Sequence, residues 1–373
     1  MNTQKRYYDI DWLRVIGMLL IFSFHCARFF NYEDWQVKNA RLDFGMSVYV
    51  AVLDQFIMPL FFILSAMAVY YALARRTRTE FLRERASRLL VPLVVGIFTH
   101  IPVQVYIERL THGEFSGSFW AFLPHYFDGW YGFGGNFAWM GLHLWYLLML
   151  FLFSWLLLPL FQRLRAAQSF TTRLADIFSR SVTVYLFFIP IMLMELLVGL
   201  SPETIGRRDF GGWSPLTYLV IFLMGYLLVT DERYRPAIER LRWVSLALAG
   251  TLLAVEYTLE MNGTSIYAYL LAPLRTLNTW AWLLAFLGFA GQTLNFTNGF
   301  LRYANQAVLP FYILHQSVIV VIGFFIRDWA WPVFPKYLFL VAVSFAIIML
   351  LYEFLVRRIG LLRTLFGMKA RAH

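Results

Sequence analysis

Apolar residues along this chain gather into long blocks, and polar residues are confined mainly to the short segments between them. Ten blocks, at about 13–30, 46–73, 89–107, 142–162, 182–200, 214–230, 243–259, 268–290, 306–326 and 335–356, approach or exceed the length needed to cross hydrocarbon. A layer of about 30 Å takes about 20 helical residues. Only helices and closed barrels satisfy every backbone group in lipid, and these blocks are about twice a barrel strand's length. The pattern predicts an all-α, polytopic integral membrane protein of about ten transmembrane helices. Nothing of domain size is left between the blocks, so residues 1–373 read as a single transmembrane domain. The second block contains Pro59, which lacks a backbone donor and crowds the preceding turn; this predicts a tilted or kinked helix.

Composition excludes an ordinary soluble globule. The chain is 60% apolar and 14% charged, where soluble proteins have roughly 45–50% and about 25%. Its net charge of +10 is carried largely by the connecting segments. With the N-terminus inside, 22 of the 32 Lys and Arg residues fall in inner segments and seven in outer loops. The inner set comprises Lys5 and Arg6, six arginines from Arg75 to Arg88, four from Arg163 to Arg180, four from Arg233 to Arg242, Arg302, and five basic residues from Arg357 onward. Cytoplasmic segments carry the basic excess, so both termini are expected in the cytoplasm, with the protein in the plasma (inner) membrane and lipid as a partner. A basic balance spread over loops in this way gives no reason to expect nucleic acid as a partner. Cys26 is the one cysteine, which excludes an intrachain disulfide and a Cys-based metal cage. The first block follows Lys5 and Arg6 as a signal peptide would. Phe24, His25 and Arg28 stand where a cleavage site needs small residues, so the segment is expected to be retained.

Ionisable groups inside spans cost several kcal/mol unless paired or hydrated, so each is a functional candidate. They are Arg14, His25, Asp54, Glu195, Glu256, Arg275, His315 and Glu353, with His143 at an outer boundary. His25, Asp54, His143, Glu195, Glu256 and Arg275 map to the outer half of the bundle, as a polar cavity opening outward would require. His315 maps nearer mid-membrane. Arg14 and His25 are about 16 Å apart along one helix and within about 20° of one face, a cation near the inner end and an imidazole near the outer end. That geometry suits an anionic donor entering from inside and an acceptor waiting outside. The plainer alternatives are an Arg14 that snorkels to lipid phosphates and histidines that only pack. The two depths argue against a metal held jointly by His25, His143 and His315. The long outer connection, about 108–141, carries Trp120, Trp130, Tyr131 and Trp139 with Gly132, Gly134 and Gly135. It reads as an interfacial aromatic belt with glycine turns, or as a platform for a sugar ring.

The opening Tyr8-Asp9-Ile10-Asp11-Trp12-Leu13-Arg14, followed after ten residues by His25, resembles the first-span signature of the membrane acyltransferase 3 family. Phe61-Phe62-Ile63-Leu64-Ser65-Ala66, Arg85-Ala86-Ser87-Arg88 before an apolar-proline stretch, His143-Leu144-Trp145-Tyr146-Leu147 and Phe311-Tyr312-Ile313-Leu314-His315-Gln316 continue the resemblance in motif order. His143-Leu144-Trp145 and Leu351-Tyr352-Glu353-Phe354 are most similar to the branch that succinylates osmoregulated periplasmic glucans. Ala66 replaces the family's common glycine, Pro59 stands where many relatives carry an acidic residue, and Asp54 matches no family motif.

The resemblance implies transfer of a small acyl group, acetyl or succinyl, from cytoplasmic acyl-CoA to a hydroxyl of an extracytoplasmic carbohydrate acceptor, without a metal. His25 would act as general base or transient acyl carrier, with Arg14 supporting it; an ordinary imidazole pKa near about 6.5 suits the former role. Arg14, Arg85 and Arg88 would hold the donor's phosphates, since guanidinium forks match phosphate oxygens; topology alone would also explain Arg85 and Arg88. Asp54, His143, Trp145, Glu195, Glu256, Arg275 and His315 are the candidate acceptor-binding residues. The rival reading is a proton-coupled transporter of a polyol or lipid-linked sugar, with Glu195, Glu256 and Arg275 as coupling groups.

Overall fold

The computed structural model describes residues 7–261 and 268–369. Lys5, Arg6 and Arg371, used above for orientation, lie outside the described residues. The fold is helical; among the described residues there is no strand, and one isolated bridge joins Trp130 to Phe137. Among the described residues five helices are long and apolar enough to cross a membrane: Tyr8–Arg28, Phe44–Leu73, Val182–Gly199, Gly299–Ile326 and Val333–Val356. They become seven if two bent pairs each form one span, Arg78–Thr99 with Ile101–Thr111 (43°) and Leu142–Leu156 with Leu158–Ala166 (48°). Pro102 and Pro159 stand just after the two bends, in the first turn of the following helix, where a missing N–H leaves no bond unmade. The other three expected blocks are also largely helical, overlapping Pro215–Leu227, Tyr234–Met261 and Ala268–Thr293.

The helices fall into two compact units, each assembled from three stretches of chain. The first unit comprises Met1–Gly17, Asp54–Phe81 and Leu152–Asn305. The kink expected at Pro59 is a break just before it, between Phe44–Asp54 and Ile57–Leu73. In an unbroken helix the Gln55 carbonyl would accept from the N–H of residue 59, which proline lacks. Here it accepts the Thr279 hydroxyl at 2.7 Å, so a proline defect becomes a tie between helices.

Small residues set the helix spacing within this unit. A Cβ on Gly225 would lie 2.8 Å from both Cα and the carbonyl oxygen of Ile63, so glycine lets Pro215–Leu227 lie directly on Ile57–Leu73. Beside that crossing the Phe62 and Tyr218 rings meet at 4.6 Å, and Phe161 stacks on Tyr226 at 3.8 Å. Tyr234–Met261 and Ala268–Thr293 pack through a similar seam. Cβ atoms on Gly288 and Gly291 would come within 2.8 Å of Arg242 Cβ and 2.6 Å of Glu239 Oε1.

The second unit comprises Met18–Leu53, Leu82–Phe151 and Gln306–His373. Phe311 sits between Phe22 (5.3 Å) and Phe345 (5.6 Å), joining three helices through one aromatic contact line. Two lysines sew down the 29–43 connection. Lys336, fully buried, donates to Asn39 Oδ1 (2.5 Å) and to the carbonyls of Arg327 (3.0 Å) and Trp329 (2.9 Å). Lys38 donates to the Arg28 carbonyl (2.6 Å), Asn31 Oδ1 (2.8 Å) and the Glu33 carbonyl (2.8 Å). In the outer connection Tyr126 donates to the Ile97 carbonyl at 2.9 Å, and the backbones at Gly129 and Gly135 cross too closely for any side chain. Trp120 and Trp130 stay largely exposed, at 77% and 57%.

Two predictions follow from these contacts. Gly225→Ala should lower stability by about 1–3 kcal/mol, the usual cost of overpacking, seen as earlier thermal unfolding in detergent; unchanged unfolding would mean the seam can open at no cost. Desolvation, followed by the neighbouring Arg28 guanidinium, brings the Lys38 ammonium from its ordinary 10.5 to about 7. An opened loop therefore binds more protons than a closed one between these values, and rising pH favours closure. Intrinsic-rate-corrected deuterium uptake across 29–43 should fall from about pH 7 to 9, and this slope should vanish in Lys38→Met; an equal slope in both proteins would contradict it.

Candidate functional site

Four histidines line up within the second unit. His25 lies three residues before the end of Tyr8–Arg28, and its ring centroid is 5.1 Å from that of His315, near the middle of Gly299–Ile326. His315 is in turn 5.1 Å from His143, in the short helical turn Leu142–Leu144 that follows Gly141. His143 is 6.4 Å from His100, at the bend between Val91–Thr99 and Ile101–Thr111. This corrects the expectation that His315 sits at a different depth from the other two. Gly299–Ile326 begins seven residues earlier than the block read from the sequence, because Gly299 to Asn305 continue the helix although Arg302 and Asn305 interrupt their apolar residues.

The hydrogen bonds fix the chemical state of two of these rings. His143 Nε2 faces the Ile313 carbonyl at 3.1 Å, and His315 Nδ1 faces the Tyr312 carbonyl at 2.5 Å. A carbonyl only accepts, so each nitrogen carries the proton, and a neutral imidazole has one N–H. His143 Nδ1 and His315 Nε2 are thus lone pairs, and both are buried without a partner. The Tyr312 hydroxyl donates to the His143 carbonyl, pinning the start of that helix to Gly299–Ile326.

His25 differs from both. Its Nδ1 is buried without a partner, its Nε2 is the accessible nitrogen, and among the described residues no hydrogen bond reaches either. Trp35 lies parallel to the ring, at 6.2 Å and 17°. Around the same turn of Gly299–Ile326, Gln104 Nε2 donates to Ser317 Oγ (2.5 Å) and Gln316 Nε2 approaches Gln36 Oε1 (3.4 Å). Both glutamines keep a buried amide oxygen unpaired. The result is a buried patch with more acceptors than donors, which suits a ligand rich in hydroxyl groups. Among the described residues no group of three or more His, Cys, Asp or Glu side chains is arranged to hold a metal ion. Cys26 is fully buried.

Asp54, Glu195, Glu256 and Arg275 belong to the first unit. There Glu195, 2% exposed, accepts from the Thr217 hydroxyl and from Arg208 Nη2 at 2.6 Å. Arg208 and Arg275 both donate to the Gly212 carbonyl, at 3.2 and 2.8 Å, while Tyr218 donates to the Gly211 carbonyl at 2.5 Å. Arg275 also covers the Trp213 ring at 4.2 Å. Gly212 has φ +79°, and a Cβ there would meet Asp54 Oδ2 at 2.8 Å and Arg275 Nη2 at 3.0 Å. Glu195, Arg275 and Asp54 therefore converge on one glycine turn and shape it. Glu256 is buried beside Asn278 at 3.3 Å.

Arg14 donates to the Leu64 carbonyl (3.2 Å) and to Asp11 (3.4 Å), and Asp9 pairs with Arg235 (3.1 Å). Both carboxylates stand in the first turn of Tyr8–Arg28, where the helix dipole favours them, so the opening motif has a structural use. Arg85 and Arg88 belong to the second unit; Arg88 is half exposed and 3.8 Å from Glu84. Trp145 begins the helix Trp145–Leu156, with its ring 6.3 Å from Tyr146. Sequence reasoning missed His100, Gln104, Gln316, Trp35 and Arg208. His100 and Gln104 lay inside an expected span, where their polarity was a signal; Trp35 and Arg208 lay in loops, where nothing marked them.

Comparison with known proteins bears on this arrangement. Residues 7–353 match the model of the acyltransferase 3 family, described as an acyltransferase domain. The chain is similar to Glucans biosynthesis protein C of Escherichia coli O139:H28 (strain E24377A / ETEC), with 23% identity over 383 residues, 98% of this chain and 95% of the relative. The proteins of that name from Escherichia coli K12 and O157:H7 (strain EC4115 / EHEC) match to the same extent. No solved structure matches. With a family match that runs from the first helix through Glu353 and takes in all four histidines, the chain belongs to the acyltransferase 3 family.

Proposed function

We propose that this protein is a membrane O-acyltransferase that moves a small acyl group, acetyl or succinyl, from cytoplasmic acyl-CoA to a hydroxyl of an extracytoplasmic glucan. The observation that carries the reading is His25: an accessible Nε2 with no hydrogen bond, set in a buried, acceptor-rich patch of a chain from an acyltransferase family. The relatives named for glucan biosynthesis favour a glucan as acceptor.

In the proposed reaction the acceptor hydroxyl gives its proton to His25 Nε2 as its oxygen attacks the thioester carbonyl. The new ester C–O bond forms, the C–S bond breaks, and the departing thiolate recovers the proton from the imidazolium. Gln104, Gln316 and His143 are suited to orient other hydroxyls of the acceptor, because each offers a buried acceptor atom. Arg88, only loosely engaged by Glu84, suits a donor phosphate, with Arg14 and Arg85 as further candidates. The proposal includes ten membrane crossings in the inner membrane with both termini cytoplasmic, which the basic bias of the connecting segments supports.

His25→Ala should abolish acyl transfer while the protein stays folded in the membrane, measured as loss of an acetyl or succinyl mass increment on cell-envelope glucans. Retained acylation would overturn the assignment of His25. Movement of a polyol across sealed vesicles without acylation would instead favour a carrier.

A further inference from the structure

The proposed reaction needs His25 to present a lone pair at Nε2, so its single proton must sit on Nδ1. Nothing on the ring itself enforces this. A free imidazole exchanges between its two tautomers, and the wrong one would turn an N–H toward the acceptor hydroxyl.

The neighbouring ring supplies the missing preference. His315 spends its N–H on the Tyr312 carbonyl of its own helix, at 2.5 Å. Its Nε2 is left as a buried lone pair without a donor, and the His315 side of the cluster lies 5.1 Å, centroid to centroid, from the His25 ring. On His25 the nitrogen that is buried without a partner is Nδ1. One buried ring needs a donor, and the ring beside it has a buried nitrogen able to be one. The second neighbour cannot substitute for His25 as that donor, because His143 has already given its own N–H to the Ile313 carbonyl.

We propose that His315 is a positioning residue for acyl transfer: it receives the His25 Nδ1–H, directly or through one water, and so fixes Nε2 as the basic atom. This deepens the acyl-transfer reading and rests on it. Catalytic contacts are often long before substrate binds and tighten afterwards, which fits adjacent rings that do not yet share a hydrogen bond. When His25 takes the acceptor's proton at Nε2, the Nδ1–H stays in place and the neutral lone pair of His315 faces the new charge. No proton leaves through His315, since its other nitrogen is already protonated and bound to a carbonyl. The role parallels that of a carboxylate holding a catalytic histidine, with a neutral acceptor in place of an anion.

The test uses three variants at His315, in the full-length protein in lipid vesicles. The amide of His315→Gln can place an oxygen where Nε2 was, whereas His315→Asn reaches only the Nδ1 position, and His315→Leu offers neither. His315→Gln should keep most of kcat. His315→Asn and His315→Leu should lose about 10²-fold in kcat, the range of a general-base contribution, with KM for both substrates unchanged. Equal kcat for the Gln and Asn variants, or a loss confined to KM, would overturn the proposal. Nitrogen NMR of histidine-labelled protein reads the tautomer without any turnover, with the His25 signal assigned by its absence in His25→Gln. The Nδ1–H form should dominate in the wild type and in His315→Gln, and mix with the other tautomer in His315→Asn. A dominant Nε2–H form in the wild type would sink the inference even if acylation occurs. Absence of acylation with the expected tautomer would sink the functional reading instead.

Discussion

A neutral imidazole has one proton to give, and burial makes the placement of that proton a structural decision. In this protein two of the four clustered histidines give theirs to consecutive carbonyls, those of Tyr312 and Ile313, on a single helix. The backbone thereby turns a stretch of ordinary helix into a template that dictates which nitrogen of each ring is bare. Tyr312 adds a third tie to the same turn by donating to the His143 carbonyl. Of the other two, His100 meets the hydroxyl of its own neighbour Thr99 at 3.2 Å, while His25 receives no such instruction and keeps an accessible Nε2. Fixed neighbours around one uncommitted ring are what a general base requires, because proton transfer depends on geometry before it depends on basicity.

The sequence showed much of this and missed the rest for identifiable reasons. Long apolar blocks marked where helices run, since an uninterrupted run of that length has few alternatives in lipid. They did not mark where helices end. Arg302 and Asn305 make Gly299 to Asn305 look like a connecting segment, yet the stretch continues the helix and moves its start seven residues further from His315. The break before Pro59 was legible because proline removes a specific donor, but its partner, Thr279, lies over two hundred residues away and leaves no local trace. His25 and Arg14 were found through their spacing on one helix. Trp35 was not, because a loop tryptophan beside a catalytic candidate looks like any other aromatic residue at a membrane surface. The charges Asp54, Glu195 and Arg275 stood out in the sequence as ionisable groups within apolar blocks, and the fold brings them to one glycine turn. A buried charge signals that something local must be held; the sequence does not say whether that is a ligand or the chain itself.

The second unit also shows how a membrane protein can anchor a non-helical segment beside reactive groups. Residues 29–43 follow the helix that carries His25 and bring Trp35 over its ring. Their backbone carbonyls and side-chain oxygens have no ladder to join, and two ammonium groups collect several of them. Lys336 and Lys38 each offer three donors on a flexible stem, which lets one side chain satisfy acceptors that point in different directions.

The tie between Gln55 and Thr279 has a broader meaning. A helix carbonyl is normally unavailable to the rest of a protein because the residue four places on already occupies it. Pro59 releases one such carbonyl at the place where Asp54 ends the preceding helix, and Thr279 takes it from a neighbouring helix only four residues beyond Arg275. Asp54 and Arg275, which approach each other at Gly212, thus each stand within a few residues of one hydrogen bond from a threonine hydroxyl to a backbone carbonyl. The helices that carry the two charges are therefore joined beside them, through a carbonyl that only a proline leaves open.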